Sequence, residues 1–148
     1  KNPKVYRILF VDRANDCRSQ MAEAYARKAY EECGIFSSGG WDPADGVRAE
    51  ALPFFESHGL DSGSLEPKPV PDLSAEPKHY HVIIGLDEKA GEMLGEIPYK
   101  TVFLNWDLGP CPFGEGDPDA LGRLETIYRE ISTRMRDLML ILRGPDAL

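Results

Sequence analysis

Residues 5–30 constrain this chain more than any other stretch. Val5 to Val11 is a short, nearly continuous apolar run, the pattern of a strand buried on both faces. Asp12-Arg13-Ala14-Asn15-Asp16-Cys17-Arg18-Ser19 follows directly, and Gln20 to Tyr30 is then rich in strong helix formers, with Gly34 as the expected stop. A buried strand feeding a tight loop and a helix commits the chain to a layered α/β fold.

The remainder keeps alternating. Ile35 to Ser38 predicts a second strand broken by Gly39-Gly40, and Val47 to His58 a helix that runs through Pro53 and ends before Gly59. Asp61 to Pro77 carries Pro67, Pro69, Pro71 and Pro77 and reads as an ordered loop with one helical turn. His81 to Leu86 is a third strand, Asp87 to Leu94 a short helix, and Thr101 to Leu104 a fourth strand. Asn105 to Pro118 is a long Gly/Pro-rich loop. Leu121, Leu124, Ile127, Tyr128, Ile131, Met135, Leu138 and Leu142 keep the three- and four-residue spacing of an amphipathic last helix. The expected architecture is one three-layer domain over residues 1–148, with about four parallel strands and helices on both faces.

Composition narrows the partners. At 148 residues and 42% hydrophobic content, the chain can bury a core and is not disordered. A net charge of −8 disfavours nucleic acid or an anionic membrane surface, since either needs a positive footprint. The run Leu138 to Leu142 is too short to span a bilayer. Cys17, Cys33 and Cys111 have neither disulfide-scaffold nor zinc spacing, so no metal or other cofactor is implied and a reducing cytoplasm is expected. The start at Lys1 is compatible with a removed leader or a trimmed tag.

The first loop is where chemistry is expected. A strand, a loop of roughly eight residues and a helix N-terminus make an anion site, because successive N–H groups point inward and the helix dipole adds positive charge. Arg13, Ala14, Asn15, Asp16, Cys17, Arg18 and Ser19 are the candidate anion-binding residues. Arg18 offers a planar fork for two oxygens, and Ser19 a hydroxyl from the first helical turn. Asn15 tolerates the left-handed backbone such a loop requires. An ordinary strand-to-helix turn with a salt-bridging arginine is the plainer alternative.

The segment Val11 to Ala24 resembles the phosphate loop of the low-molecular-weight protein tyrosine phosphatases, and more closely that of the thioredoxin-coupled arsenate reductases of the same superfamily. Their loop reads Cys-x5-Arg-Ser, and the reductase branch commonly continues Gln-Met-Ala-Glu-Ala, as Gln20 to Ala24 do here. Ser37-Ser38-Gly39-Gly40 is similar to the family's Ser-Ala-Gly turn, Asn105-Trp106 to its His-Trp pair, and Asp117-Pro118 to its late Asp-Pro. The resemblance covers essentially the whole chain. It implies the phosphotyrosine phosphatase I-like fold, with Arg18 binding the transferred group and Asp117 as general acid. By position alone, Asp117 reads equally as a turn or a cap of the last helix.

The chain departs from this pattern at the nucleophile. The family's cysteine falls on Asp12, and the sixth residues after Cys17, Cys33 and Cys111 are Glu23, Gly39 and Asp117 rather than arginine. A thiolate attacks because it is soft and ionised by the loop's N–H groups. A carboxylate is harder and lies where an incoming dianion must go: two like charges about 4 Å apart repel by about 4 kcal/mol at an effective dielectric of 20. Asp12 is therefore expected to fill the cradle itself, bonded to loop amides and Arg18, without cysteine-dependent turnover. Such a domain serves as a binding or regulatory module for a phosphate-like oxyanion or a protein partner. The other reading is an active phosphatase or reductase in which Asp12 is engineered or forms an aspartyl-phosphate, chemistry that favours further carboxylates nearby, and no Asp-x-Asp pair is present.

Further departures bear on specificity. Asp119-Ala120 stand where the resemblance implies aromatics that grip a phenyl ring, and Leu86 stands near the first resolving thiol of the reductases. Trp41 and Phe113 read as packing residues that also fit the mouth of a site. Arg13 is expected to point to solvent. Cys111, in the loop before Asp117, can approach Cys17, though both read first as buried inert thiols and Cys33 as structural. His58, His79 and His81 show no carboxylate partner in the sequence and read as surface or strand-edge residues.

Overall fold

A computed structural model describes residues 5–74, 79–115 and 117–144. Strand β1 (Tyr6–Asp12) leads through a loop to α1 (Arg18–Ala29), β2 (Gly34–Gly40), a 3-10 turn at Ala49–Ala51 and α2 (Leu52–Ser57). Then follow β3 (Val82–Gly85), α3 (Ala90–Leu94), β4 (Val102–Asn105), a 3-10 turn at Pro112–Glu115 and the long α4 (Ala120–Arg143). All neighbouring strands pair in parallel in the order β2-β1-β3-β4. β1 therefore lies inside the sheet, and its C-terminal end opens between β2 and β3. That is the place where an open α/β sheet holds its ligand loops.

Strand alternation sorts the apolar residues onto two faces. Ile8 and Phe10 join Val82 and Ile84 beneath α1, α2 and α4, whose Met21, Ala22, Phe55, Leu124, Ile131 and Met135 are fully buried or nearly so. Leu9, Val11 and Ile83 face the other way, against Trp41, Val70, Leu73, Leu94 and Phe103. Helices thus cover both faces unequally: three pack on one, and the other is closed by short α3 and extended chain. Small Ala22 and Ala26 let α1 lie close to the sheet, while α4 buries Leu124, Ile127, Ile131, Met135, Leu138 and Met139 at helical spacing. Among the described residues no helix is long and apolar enough to cross a membrane.

Several sequence expectations need correction. Gly34 opens β2 rather than ending α1, which stops at Ala29, and Gly39-Gly40 are the last residues of that strand rather than its break. The helix expected over Val47 to His58 shrinks to a 3-10 turn and the six residues of α2, because Pro53 occupies the first turn and fixes where the α-helix can begin. The helix expected from Asp87 starts only at Ala90. No helix is formed in the described part of the 61–77 loop; instead Pro69 bridges to Gly40, and Ala75 to Pro77 lie outside the described residues. Leu121, counted with the core, is 61% exposed.

Candidate functional site

The loop between β1 and α1 is held from both sides. On the outside, the chain after β2 straps it: the amides of Trp41, Asp42, Ala44 and Arg48 donate to the carbonyls of Asp12, Arg13, Ala14 and Asp16 at 3.3, 2.8, 3.0 and 2.8 Å. A Cβ on Gly40 would lie 2.5 Å from Arg13 O and 3.0 Å from Asn15 N, so only glycine lets β2 end against this loop. With these carbonyls spent outward, amides are left for the interior. Asn15 N–H donates to Asp12 Oδ1 at 2.8 Å, and Ser19 N–H to Asp12 Oδ2 at 3.1 Å. Ser19 Oγ adds a third bond to Asp12 Oδ1 at 2.9 Å.

Asp12 also completes α1. The N-cap residue Cys17 makes no side-chain cap, and the first turn holds no acidic residue. The Asp12 carboxylate meets the amide of Ser19, which has no partner within the helix, where the helix dipole favours negative charge. It is 2% exposed. Burial pushes its pKa above the usual aspartate value, outweighing the opposing pull of Arg18, of the Ser19 hydroxyl and of the Asn15 and Ser19 amides.

Asn15 sits at the centre of the polar cluster. Its φ of 53° is left-handed, as its residue type allows. Its Nδ2 donates to Ser19 Oγ at 2.7 Å and to Ser38 Oγ at 2.9 Å. Its Oδ1 accepts from Gln20 Nε2 at 3.1 Å and from the Lys68 amide at 3.0 Å. Ser38 Oγ donates onward to Glu23 Oε1 at 2.6 Å, and Glu23 is buried against Arg27 at 2.8 Å and Lys68 at 3.6 Å. A continuous set of bonds therefore runs from Asp12 through Ser19, Asn15 and Ser38 to Glu23.

Arg18 is buried and turned toward the neighbouring strand ends. Its Nε lies 3.9 Å from Asp12 Oδ2, while Nη1 donates to Leu86 O at 3.2 Å and to Gly109 O at 2.7 Å. Nη2 is 3.7 Å from Asp87 Oδ2. The guanidinium thus ties together the chain after β1, β3 and β4. Arg13 points to solvent and pairs with Asp42 at 3.3 Å, and Asp16 turns to Arg48 Nε at 3.1 Å. Ala14 enters through its carbonyl bond to Ala44. Cys17 is fully buried; a hydrogen bond to Cys111 and then burial hold its pKa well above the usual value.

Asp117 is not the cap of α4, a place taken by Asp119. Its Oδ1 accepts from the Asp119 amide at 2.8 Å and its Oδ2 pairs with Arg123 Nη1 at 3.0 Å. Trp106 is buried beside Phe10, and Phe113 and Trp41 pack into the apolar clusters on opposite faces of the sheet. His58 corrects the sequence reading: its Nε2 is 3.1 Å from Glu125 Oε1, and its ring stacks on Phe54. His81 Nδ1 accepts from the Arg7 amide. Among the described residues no group of three or more His, Cys, Asp or Glu is placed to hold a metal ion.

Glu23, Ser38, Lys68 and the 41–48 strap were not among the predicted site residues. Ser38 was legible only as part of a Ser-Ser-Gly-Gly turn, and nothing local in the sequence signals that a backbone amide at Lys68 reaches Asn15.

Residues 7–143 match the low molecular weight phosphotyrosine protein phosphatase family. The chain belongs to that family. A glutaredoxin arsenate reductase of Synechocystis is 27% identical over 141 residues, spanning 90% of this chain and 95% of the relative. A low molecular weight protein tyrosine phosphatase from Streptococcus pyogenes superposes with a TM-score of 0.74 at 16% identity, covering 96% of both chains. A thioredoxin-dependent arsenate reductase from Corynebacterium glutamicum superposes at 0.72 with 22% identity, covering 92% of this chain but 63% of its own. At such identities these two structures establish the fold, a four-stranded parallel sheet flanked by helices.

Proposed function

We propose that this member of the phosphatase and arsenate reductase superfamily is an oxyanion-cradle domain in which Asp12 takes the place of the attacking cysteine. The carboxyl oxygens of Asp12 then stand where an external oxyanion would bind, and the domain does not perform cysteine-dependent phosphoryl or arsenate chemistry. The observation that carries this reading is the threefold hydrogen bonding of Asp12 by Asn15 N–H, Ser19 N–H and Ser19 O–H. Arg18 supports it, since its Nη1 is already engaged by two backbone carbonyls.

The domain is accordingly read as a noncatalytic binding or regulatory module, acting on a protein partner or a phosphate-like group. Three cysteines with no disulfide between them suit the cytoplasm. In the family's arrangement Asp117 would protonate a leaving group; tied to Arg123 and without a thiol nucleophile, it holds the start of α4 instead. An aspartyl-phosphate mechanism is disfavoured by the same bonds that support the main reading. An Asp12 oxygen that attacked phosphorus would first have to shed its donors.

The test is hydrolysis of an aryl phosphate by the wild-type chain and by Asp12→Cys. The wild type is expected to be inactive and the variant to gain measurable turnover, because a thiolate at position 12 inherits the same amides and Arg18. Comparable hydrolysis by both proteins overturns the proposal, and a phosphorylated Asp12 trapped with an aryl phosphate donor and magnesium overturns it in favour of the aspartyl route.

A further inference from the structure

Cys17 and Cys111 are 94 residues apart in sequence yet meet at the site. Cys17 stands at the N-terminal boundary of α1 and is fully buried; Cys111 is partly exposed, in the loop between β4 and α4, and packs against the same core. The two thiols are in hydrogen-bonding contact but not covalently joined. An independent bond holds the same two segments together, since Arg18, the residue after Cys17, donates to Gly109 O at 2.7 Å. Cys33 lies at the far end of α1, beside the first residue of β2, and takes no part.

We propose that Cys17 and Cys111 form a reversible two-thiol oxidation site that closes a disulfide between the first turn of α1 and the loop carrying Asp117. The two sulfurs have different roles. Cys111 is the one that solvent reaches, whereas Cys17 is sealed beneath it, so the Cys111 sulfur meets the oxidant. With hydrogen peroxide, Cys111 Sγ attacks the O–O bond, taking one oxygen as sulfenic acid and releasing water. Cys17 Sγ then attacks Cys111 Sγ, the S–O bond breaks, and the oxygen leaves as a second water with the Cys17 proton. In sum, two thiols and one peroxide give one disulfide and two waters. A dithiol reverses the step by exchange. The link converts a contact already made by Arg18 and Gly109 into a covalent one. It does not depend on what fills the cradle.

The wild-type chain is treated with hydrogen peroxide, alkylated with N-ethylmaleimide and digested with trypsin without reductant. The cleavage sites place the three cysteines on separate peptides, residues 14–18, 29–48 and 101–123. The expected product joins 14–18 to 101–123 with loss of two hydrogens, while 29–48 remains alkylated. The melting temperature rises on oxidation and returns with dithiothreitol, because the cross-link restricts the unfolded chain over a long loop. Sulfinic acid on Cys111 without the joined peptide overturns the proposal, as does a disulfide through Cys33. Cys111→Ser is expected to lose the melting shift; should that variant not fold, the wild-type peptide map decides alone.

Discussion

The loop of residues 12–19 and the loop between β4 and α4 flank the same site but are fixed by different physics. In the first, carbonyls are taken by the 41–48 strap, amides by Asp12, and Asn15 makes four side-chain bonds and one through its backbone carbonyl, all in a buried setting. In the second, the links among the described residues include Arg18 to Gly109, the Gly109 amide to Asp107, the contact of Cys111 with Cys17, and Asp117 bound to the Asp119 amide and Arg123, mostly between partly exposed groups. Buried, mutually satisfied polar networks define one geometry, since every broken bond leaves a partner unsatisfied. Sparse links between partly exposed groups leave a loop whose position a single added bond can change. The network of the first loop preserves the cradle, and the sparseness of the second makes the proposed disulfide consequential.

The largest effect that separates the two regions is expected at Asn15. Asn15→Ala strains a residue at φ 53° and takes one hydrogen-bond partner each from Ser19, Ser38, Gln20 and the Lys68 amide. A loss of about 3 kcal/mol is expected, combining one left-handed residue with two or so unmet buried bonds. Asn15→Gly keeps the backbone and loses only the side chain, so it is expected to cost about 1 kcal/mol less than the alanine. Urea unfolding of both variants decides between them. A glycine variant as stable as wild type would mean that backbone conformation alone shapes this loop, and the contrast with the second loop would fail.

What was legible in the sequence follows the same division. The continuous apolar run at Val5–Val11, the alanine-rich α1 and the periodicity of α4 announced strands and helices because burial patterns are local. The loop 12–19 was legible by its order of residue types, and Asn15 at positive φ agrees with it. The strap at 41–48 was not, because its job is done by backbone amides whose partners lie about 30 residues away. A helix does not begin at Val47 because Arg48, where the strap bonds to Asp16 O, has an extended backbone (φ −52°, ψ 117°), and Pro53 then sets the start of α2. His58 with Glu125 is a long-range pairing of the same kind, of which sequence proximity carries no trace. The approach of Cys111 to Cys17 was legible from the place of Cys111 in the loop before Asp117, and the two thiols do meet.

A smaller effect with a distinctive pH dependence is expected at Asp12. Its folded pKa lies above the unfolded one, so between the usual aspartate value of 3.8 and the raised value the native chain holds more of the proton than the unfolded chain. Stability contributed by this group is therefore greatest below that window and falls as pH rises through it. Asp12→Asn removes the titration and places an amide NH2 among donors, a loss of about 1–2 kcal/mol from mismatched bonds at low pH. The gap between wild type and variant is expected to narrow as pH rises from 4 to 7, read from urea midpoints. A gap that widens instead would show that Arg18 and the three donors hold the carboxylate below its ordinary range, and that the first loop is organised by charge rather than by satisfied acceptors.

The smallest effect belongs to the second loop. Arg123 pairs with Asp117 at 3.0 Å, but its side chain is 45% exposed, and such pairs are screened by water and salt. Arg123→Ala is expected to lower stability by no more than about 0.5 kcal/mol, with the loss fading at high salt. Its sharper readout is conformational. With Arg123 gone, Asp117 keeps the Asp119 amide among the described residues, and the link from Gly109 to Arg18 holds the other end of the loop. Amide exchange at Asp107, Leu108, Gly109 and Cys111 is therefore expected to stay slower than at Asp117 and Asp119, whose protection falls. Equal acceleration across both segments would mean that the β4–α4 loop moves as one unit, and that its anchoring is as cooperative as the buried network across the site.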